Sequence, residues 1–271
     1  MGGRLGSVAQ IWRYPVKSMG GERLREATVT DRGIAGDRAW AVLDITSGKI
    51  LSAKREARLL LASARTCPAD GVLVDLPGRG EFQAGDAALA RHLSDWLGRE
   101  LRLMAAVPGQ RATFEKGAID GSDAVKEIST QPGMLFDTKS PLHVLTTAGL
   151  RAARKFHPDG DWDVRRFRPN VLVETEETGE TAETEETEET ADDTGPEQSW
   201  IGSTIRLDGT TAWVRKGTVR CVMTSHEQPG LPRDRDIHRT LVRHHANTLG
   251  VLAHPAPDSA QLLLGRPVRT T

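Results

Sequence analysis

The sequence has only two cysteines, Cys67 and Cys221, in 271 residues. Two cysteines exclude a disulfide framework in a chain of this length and fit a reducing compartment. Aromatic residues are scarce, at 4%, with a single tyrosine, Tyr14. No apolar run reaches the roughly 18 residues a bilayer-spanning helix needs. The stretch from Met1 to Tyr14 lacks the charged start and apolar core of a secretory signal, so no leader and no membrane anchor are expected. Neither HExxH nor CxxC occurs, so the eight histidines do not suggest a closed zinc site. His238 and His245 can share a helix face, yet packing or surface roles suit them better. GxxxxGKS, GxxxxGKT and GxGxxG are absent too, which removes the common phosphate-loop and dinucleotide readings.

What is present has the balance of a globular protein: 38% hydrophobic and 27% charged residues. The length suffices for one large domain or two intimate small ones. The net charge of −1 conceals an asymmetry. Glu174 to Glu197 holds twelve acidic residues and no basic one; subtracting these from 37 leaves 25 acids against 36 basic residues elsewhere, a balance of +11. A basic body suits an anionic ligand, an acidic partner or nucleic acid. The segment 174–198 is a Glu/Thr repeat without large apolar side chains. It cannot bury a core and repels itself, so a disordered surface loop is expected there.

Strand signals dominate the remainder. Val8–Tyr14, Leu24–Val29, Ala39–Asp44, Lys49–Leu51, Val72–Leu76 and Leu101–Ala105 are short and bounded by turn residues. Asp86–Leu97 places Leu89, Leu93, Trp96 and Leu97 at helical spacing. Residues 107–140 are rich in Gly, Pro and charge and suggest a boundary. Beyond it, Leu142–Leu145, Asn170–Glu174, Thr204–Leu207, Thr211–Lys216 and Val219–Thr224 read as strands. Thr146 or Thr147 can cap a helix running to about Phe156, and Asp236–Asn247 reads as another. The expectation is a mainly β, α+β protein with a few packed helices.

Five clusters can carry chemistry: Tyr14–Ser18, Gly36–Arg38, Ser140–Thr147, Arg165–Asn170 and Arg220–Thr224. Four put a cation at or near a strand end, where sites are commonly built. Lys17, Arg38 and Arg168 can converge on one anion, with Ser18 and Asn170 adding neutral hydrogen bonds; Arg forks and Lys point charges both suit phosphate oxygens. Cys221 follows Lys216 and Arg220, whose charge favours a thiolate. Its spacing alone leaves two readings open, a nucleophile or metal ligand and a buried core thiol. Cys67 has no comparable surroundings.

In this order, the clusters resemble the MOSC family, named for the C-terminal domain of molybdenum cofactor sulfurase. The sequences YPVKS and GDRAW lie in residues 1–110, which resemble an N-terminal β-barrel-like domain. SPLHVLTTAGL, FRPNVLV and RCVMT lie in residues 135–271, which resemble the MOSC domain itself. The nearest pattern is that of the amidoxime-reducing component and its bacterial counterparts. The resemblance implies a molybdenum cofactor (molybdopterin), with Cys221 as metal ligand and catalytic centre. It implies cofactor contacts from Lys17, Ser18, Arg38, Thr147, Arg168, Asn170 and Arg220. It further implies two-electron reduction of N-hydroxylated or similar small substrates, with electrons from a separate flavoprotein or iron–sulfur protein. A cytoplasmic location without nucleic-acid partners is expected. The alternatives are a sulfur carrier using a Cys221 persulfide and a non-catalytic cofactor carrier. The acidic insert, Arg266 in place of an aspartate in the closing GRPV, and the lack of an anchor or of a four-cysteine iron–sulfur segment depart from the family pattern.

Overall fold

A computed structural model describes residues 3–68, 71–117, 125–136, 139–175, 195–258 and 260–271. Its centre is a closed barrel of seven strands: β1 (Arg4–Arg13), β2 (Leu142–Thr146), β3 (Val171–Glu174), β4 (Thr204–Leu207), β5 (Thr210–Val219), β6 (Thr248–Pro255) and β7 (Pro267–Thr270). The order around the barrel is β3-β2-β6-β5-β4-β7-β1, and β1 pairs back onto β3 to close it. All pairings are antiparallel except β2 with β3. Closure removes exposed strand edges.

The pattern that builds the barrel is inward alternation. Val8, Val144, Val171, Val173, Ile205, Val214, Val251 and Val268 form its buried interior. Strand β2 is buried along its whole length because its outer face is covered as well. There Leu145 packs with helices α2 (Thr147–Lys155) and α3 (Arg235–His244) through Ala153, Ile237 and Leu241, and with Phe167 beyond the 3₁₀ turn Val164–Arg166. Strand Glu26–Thr30 pairs with Ala260–Leu263 and adds Val29 and Leu262 to the barrel core. Strand β1 completes a barrel whose other six strands come from the second half of the chain.

Residues 40–105 form a second core. Val42, Leu59, Val72, Val74, Leu89, Leu93 and Leu101 cluster between short sheets and helix α1 (Ala87–Leu97). That helix starts where Asp86 accepts from the Ala88 N–H at 2.7 Å. It ends at Gly98, whose φ of +71° is left-handed, the conformation a glycine adopts without Cβ strain.

Several details differ from the sequence expectation. Residues 107–140 are not only a boundary: Thr113–Gly117 and Val125–Ser129 pair as antiparallel strands. The strand expected over Val219–Thr224 stops at Val219, and Val222–Ser225 is a 3₁₀ turn. The Arg220 N–H still donates to the Asn247 carbonyl opposite it, but the Asn247 N–H turns away to the Leu241 carbonyl, each at 2.8 Å, and the ladder ends there. Helix α3 ends at His244 rather than Asn247, since Ala246 and Asn247 take φ of +45° and +55°. The cap of α2 is Thr146, which accepts from the Gly149 N–H at 2.9 Å. Both ends of the acidic segment 174–198 are ordered: Glu174 closes β3, and Pro196–Trp200 is a 3₁₀ turn. Glu197 in that turn is fully buried, accepting from the Gly250 N–H at 3.1 Å and from the Thr146 hydroxyl. The expectation for residues 176–194 falls outside the described residues.

Candidate functional site

The Tyr14–Ser18 segment leaves β1 and runs beside the segment carrying Arg38. The Tyr14 N–H donates to Asp37 Oδ1 at 2.8 Å. The Arg38 N–H donates to the Tyr14 carbonyl, and the Lys17 N–H to the Trp40 carbonyl, each at 2.7 Å. A third loop joins through the Ala53 N–H, which donates to Ser18 Oγ at 2.9 Å. The two motifs thus form one backbone unit before any ligand is considered.

Arg168 connects this unit to the barrel. It sits where the chain turns from the 3₁₀ segment Val164–Arg166 into β3. Its Nη1 donates to the Met19 carbonyl, and its guanidinium lies 4.2 Å from the Tyr14 ring centroid. Its own carbonyl accepts from Arg38 Nη2 at 3.4 Å. Arg220 arrives from the end of β5, with Nη1 donating to the Phe167 carbonyl at 3.1 Å.

These segments enclose a cavity of about 280 Å³, near the small end of ligand sites, which run about 300–1,000 Å³. Lys17, Arg38, Lys54, Arg168 and Arg220 line it, and among the described residues no carboxylate does. Asp37 forms an ion pair with lining Arg38. Lys17 Nζ stands 4.2 Å from the centre of the Phe114 ring on the cavity wall.

Strain marks the same place. Ser18, Arg38 and Arg168 have φ of +70°, +51° and +54°, a region in which non-glycine residues are uncommon. Burial lowers the Arg168 guanidinium to about 10, with Arg38 pushing the same way. Burial also lowers Arg220 to about 10. Both remain cations at neutral pH. His143 is pushed well below the usual histidine range by burial and then by the charge of Arg220, so its ring is neutral. Arg168 Nη2, Arg220 Nε, Ser52 Oγ and Thr218 Oγ1 are buried without a hydrogen-bond partner. Each such donor costs about 1–3 kcal/mol until a ligand or water satisfies it.

The sequence-expected residues fall into three groups. Lys17, Ser18, Arg38, Arg168 and Arg220 line the cavity. Cys221 lies half-buried between two lining residues, Arg220 and Met223, without itself being part of the wall. Asn170 and Thr147 are elsewhere. Asn170 is wholly buried, with Oδ1 accepting from the His143 N–H at 3.2 Å and Nδ2 donating to the Trp12 carbonyl at 3.3 Å. Thr147 accepts from the Thr175 N–H at 3.3 Å, in the first turn of α2.

Ser52 and Lys54 were not singled out from sequence, yet they line the cavity, and so does His143, which the sequence offered only as a member of the Ser140–Thr147 cluster. For His143 a signal existed: a polar residue in an otherwise apolar strand, LHVLT. Ser52 and Lys54 follow a short strand signal and carry no pattern of their own. Among the described residues no three His, Cys, Asp or Glu side chains cluster to hold a metal. Nor is any described helix long and apolar enough to cross a membrane.

Residues 5–113 match the family described as the MOSC N-terminal beta barrel domain. A 71-residue stretch is 41% identical to mitochondrial amidoxime-reducing component 1 of Homo sapiens, covering 25% of this chain and 20% of that protein. Mitochondrial amidoxime reducing component 2 of Homo sapiens is 39% identical over 64 residues, which is 22% of this chain and 19% of that protein. The matched stretch thus spans about a fifth of the length of these relatives. The crystal structure of the YUAD protein from Bacillus subtilis aligns over 100% of this chain and 98% of that one, with 11% sequence identity and a TM-score of 0.47.

Proposed function

We propose that this chain, whose residues 5–113 match the MOSC N-terminal beta barrel domain and a quarter of which is similar to an amidoxime-reducing component, is a MOSC-type oxidoreductase that holds a molybdenum cofactor in the cation-lined cavity. The observation that carries the reading is the convergence of Lys17, Arg38, Lys54, Arg168 and Arg220 on one cavity free of lining carboxylates among the described residues. Collecting five cations costs mutual repulsion, which a multiply charged anion offsets.

The residues present fit the cofactor. Its phosphate calls for charge-assisted donors, and the buried Arg168 Nη2 and Arg220 Nε have no partner. Its polar ring edge calls for neutral groups, which Ser52 and Thr218 supply. Molybdenum accepts soft thiolate ligands, and Cys221 is a free cysteine next to lining Arg220. A metal held through Cys221 would take its remaining ligands from the cofactor. Lys17, Ser18, Arg38, Arg168 and Arg220 would hold the anionic end, while Asn170 would keep the Arg168 turn in place through its backbone hydrogen bonds. Bound there, the cofactor would supply two-electron redox chemistry for N-hydroxylated or similar small compounds, with electrons from a separate donor protein.

Alkylation tests this reading. Iodoacetamide should spare Cys221 in cofactor-loaded protein and modify it in cofactor-free protein, and only loaded protein should reduce an amidoxime. A Cys221 that is equally reactive in both, or that carries an extra sulfur and passes it to an acceptor without molybdenum, overturns it.

A further inference from the structure

We propose that His143 is a positioning residue of the anion cradle: its imidazole fixes the Arg220 guanidinium and the Arg168 turn relative to one another, so that both cations face the same ligand group. The proposal deepens the cofactor reading and rests on it only for the identity of the ligand.

The argument begins with alternation on β2. Leu142 and Val144 point into the barrel core, and Leu145 packs under the helices. His143 lies on the outer side with Leu145, yet it reaches the cavity wall. A leucine there would serve packing equally well, so the choice of an imidazole asks for a polar reason. Besides a hydrogen bond with the Leu249 backbone, the ring has two polar contacts. Its Nδ1 is 3.2 Å from the Arg168 carbonyl, and its Nε2 is 3.2 Å from Arg220 Nη2.

These partners dictate the tautomer. A guanidinium has donors only, so Nε2 must offer its lone pair. The ring proton then sits on Nδ1 and donates to the Arg168 carbonyl. One neutral tautomer satisfies both contacts; a doubly protonated ring would confront Arg220 with a donor and a like charge.

The surroundings hold the ring in this pose. The His143 N–H donates to Asn170 Oδ1, and the Asn170 N–H donates to the His143 carbonyl at 2.8 Å. The Arg168–Asn170 turn is thereby tied to β2 by backbone, amide and ring together. On the other side, a Cβ at position 250 would lie 2.6 Å from Nε2. Gly250 leaves that space open, in a conformation with φ of +78° that suits glycine.

Arg168 and Arg220 each retain a buried nitrogen without a partner, Nη2 and Nε. What His143 contributes is direction. Without the acceptor at Nε2, Arg220 loses a fixed contact and can swing away from the cavity, and the ligand must then bear the ordering cost.

The test uses the full chain in cofactor-free form, titrated calorimetrically with inorganic phosphate, and cofactor-loaded chain assayed for molybdenum retained after gel filtration. His143→Leu and His143→Asn should each weaken phosphate binding about tenfold, equivalent to about 1.4 kcal/mol. His143→Gln, whose amide oxygen replaces the Nε2 lone pair toward Arg220, should stay within about threefold of wild type. In an Arg220→Met background, His143→Leu should have no further effect, since coupled residues give non-additive changes. Equal losses for Gln and Leu, additive losses with Arg220→Met, or a wild-type chain that does not bind phosphate each overturn the proposal. If His143→Leu fails to fold, the contrast between Asn and Gln decides. Wild-type molybdenum in every variant sinks the positioning role and leaves the cofactor reading intact. His143-dependent phosphate binding in a chain that never takes up molybdenum does the reverse.

Discussion

Replacing Arg168 with methionine separates a ligand-binding cation from a structural strap. In the folded chain the guanidinium is buried, close to Arg38, and lowered to about 10. Its internal bonds are one donation to the Met19 carbonyl and the face contact with Tyr14. Removing a charged donor from an anion should cost about 1.5–3 kcal/mol of binding, a loss of roughly 10- to 150-fold in affinity. The cofactor-free fold should respond differently. Methionine keeps much of the packing, removes repulsion toward Arg38, and ends the desolvation of an incompletely paired charge. Substituting a buried charge by an apolar side chain of similar size is often neutral or stabilising. The left-handed φ of +54° is unchanged in kind, since methionine is strained there as well. We therefore expect urea denaturation of cofactor-free Arg168→Met to give a stability equal to or above wild type, with molybdenum retention sharply reduced. A variant destabilised by more than about 2 kcal/mol that keeps its molybdenum would refute the reasoning, because the surrounding bonds would then outweigh the buried charge.

Four further outcomes are expected. Thr146→Ala should cost about 0.5–2 kcal/mol in chemical denaturation, as an N-cap does, while Thr147→Ala should be nearly silent in both stability and molybdenum content. Gly250→Ala should lower the melting temperature more than Gly48→Ala: both have positive φ, but only the former brings a Cβ against His143 and the Val144 carbonyl. Glu197 has its carboxyl pushed above the usual range, mainly by burial; a raised folded value contributes stability that is full at low pH and lost as pH rises through it, so Glu197→Gln should flatten that decline in a pH series of denaturation curves. Cys67→Ala should leave molybdenum content unchanged, and an equal loss from Cys67 and Cys221 variants would count against Cys221 as the ligand.

Much of the cradle was legible because cations at strand ends are visible in a linear pattern. Lys17, Arg38, Arg168 and Arg220 each follow or precede a strand, and the structure brings all four to one cavity. Asn170 and Thr147 show the limit of motif reading. Both belong to recognisable stretches, yet their side chains hydrogen-bond within the protein rather than lining the cavity. The barrel closure was not legible: Ile11 pairs with Val171, and nothing local announces so distant a partner. Nor was the charged hairpin. Glu115 and Glu127 face each other across it, an unfavourable pair until Lys49 is placed within 3.2 Å and 2.9 Å of them. Glu197 looked like the tail of an acidic loop, whereas the turn around it buries the carboxylate against Gly250 and Thr146.

The central claim is that the cavity and Cys221 together hold a molybdenum cofactor, and elemental analysis of purified protein from a host that makes the cofactor tests it most directly. Wild-type protein should carry roughly one molybdenum per chain, as a single thiolate ligand beside one cofactor cavity implies, and Cys221→Ala should carry markedly less. Zinc, or no metal at all, in wild-type protein from such a host would contradict it.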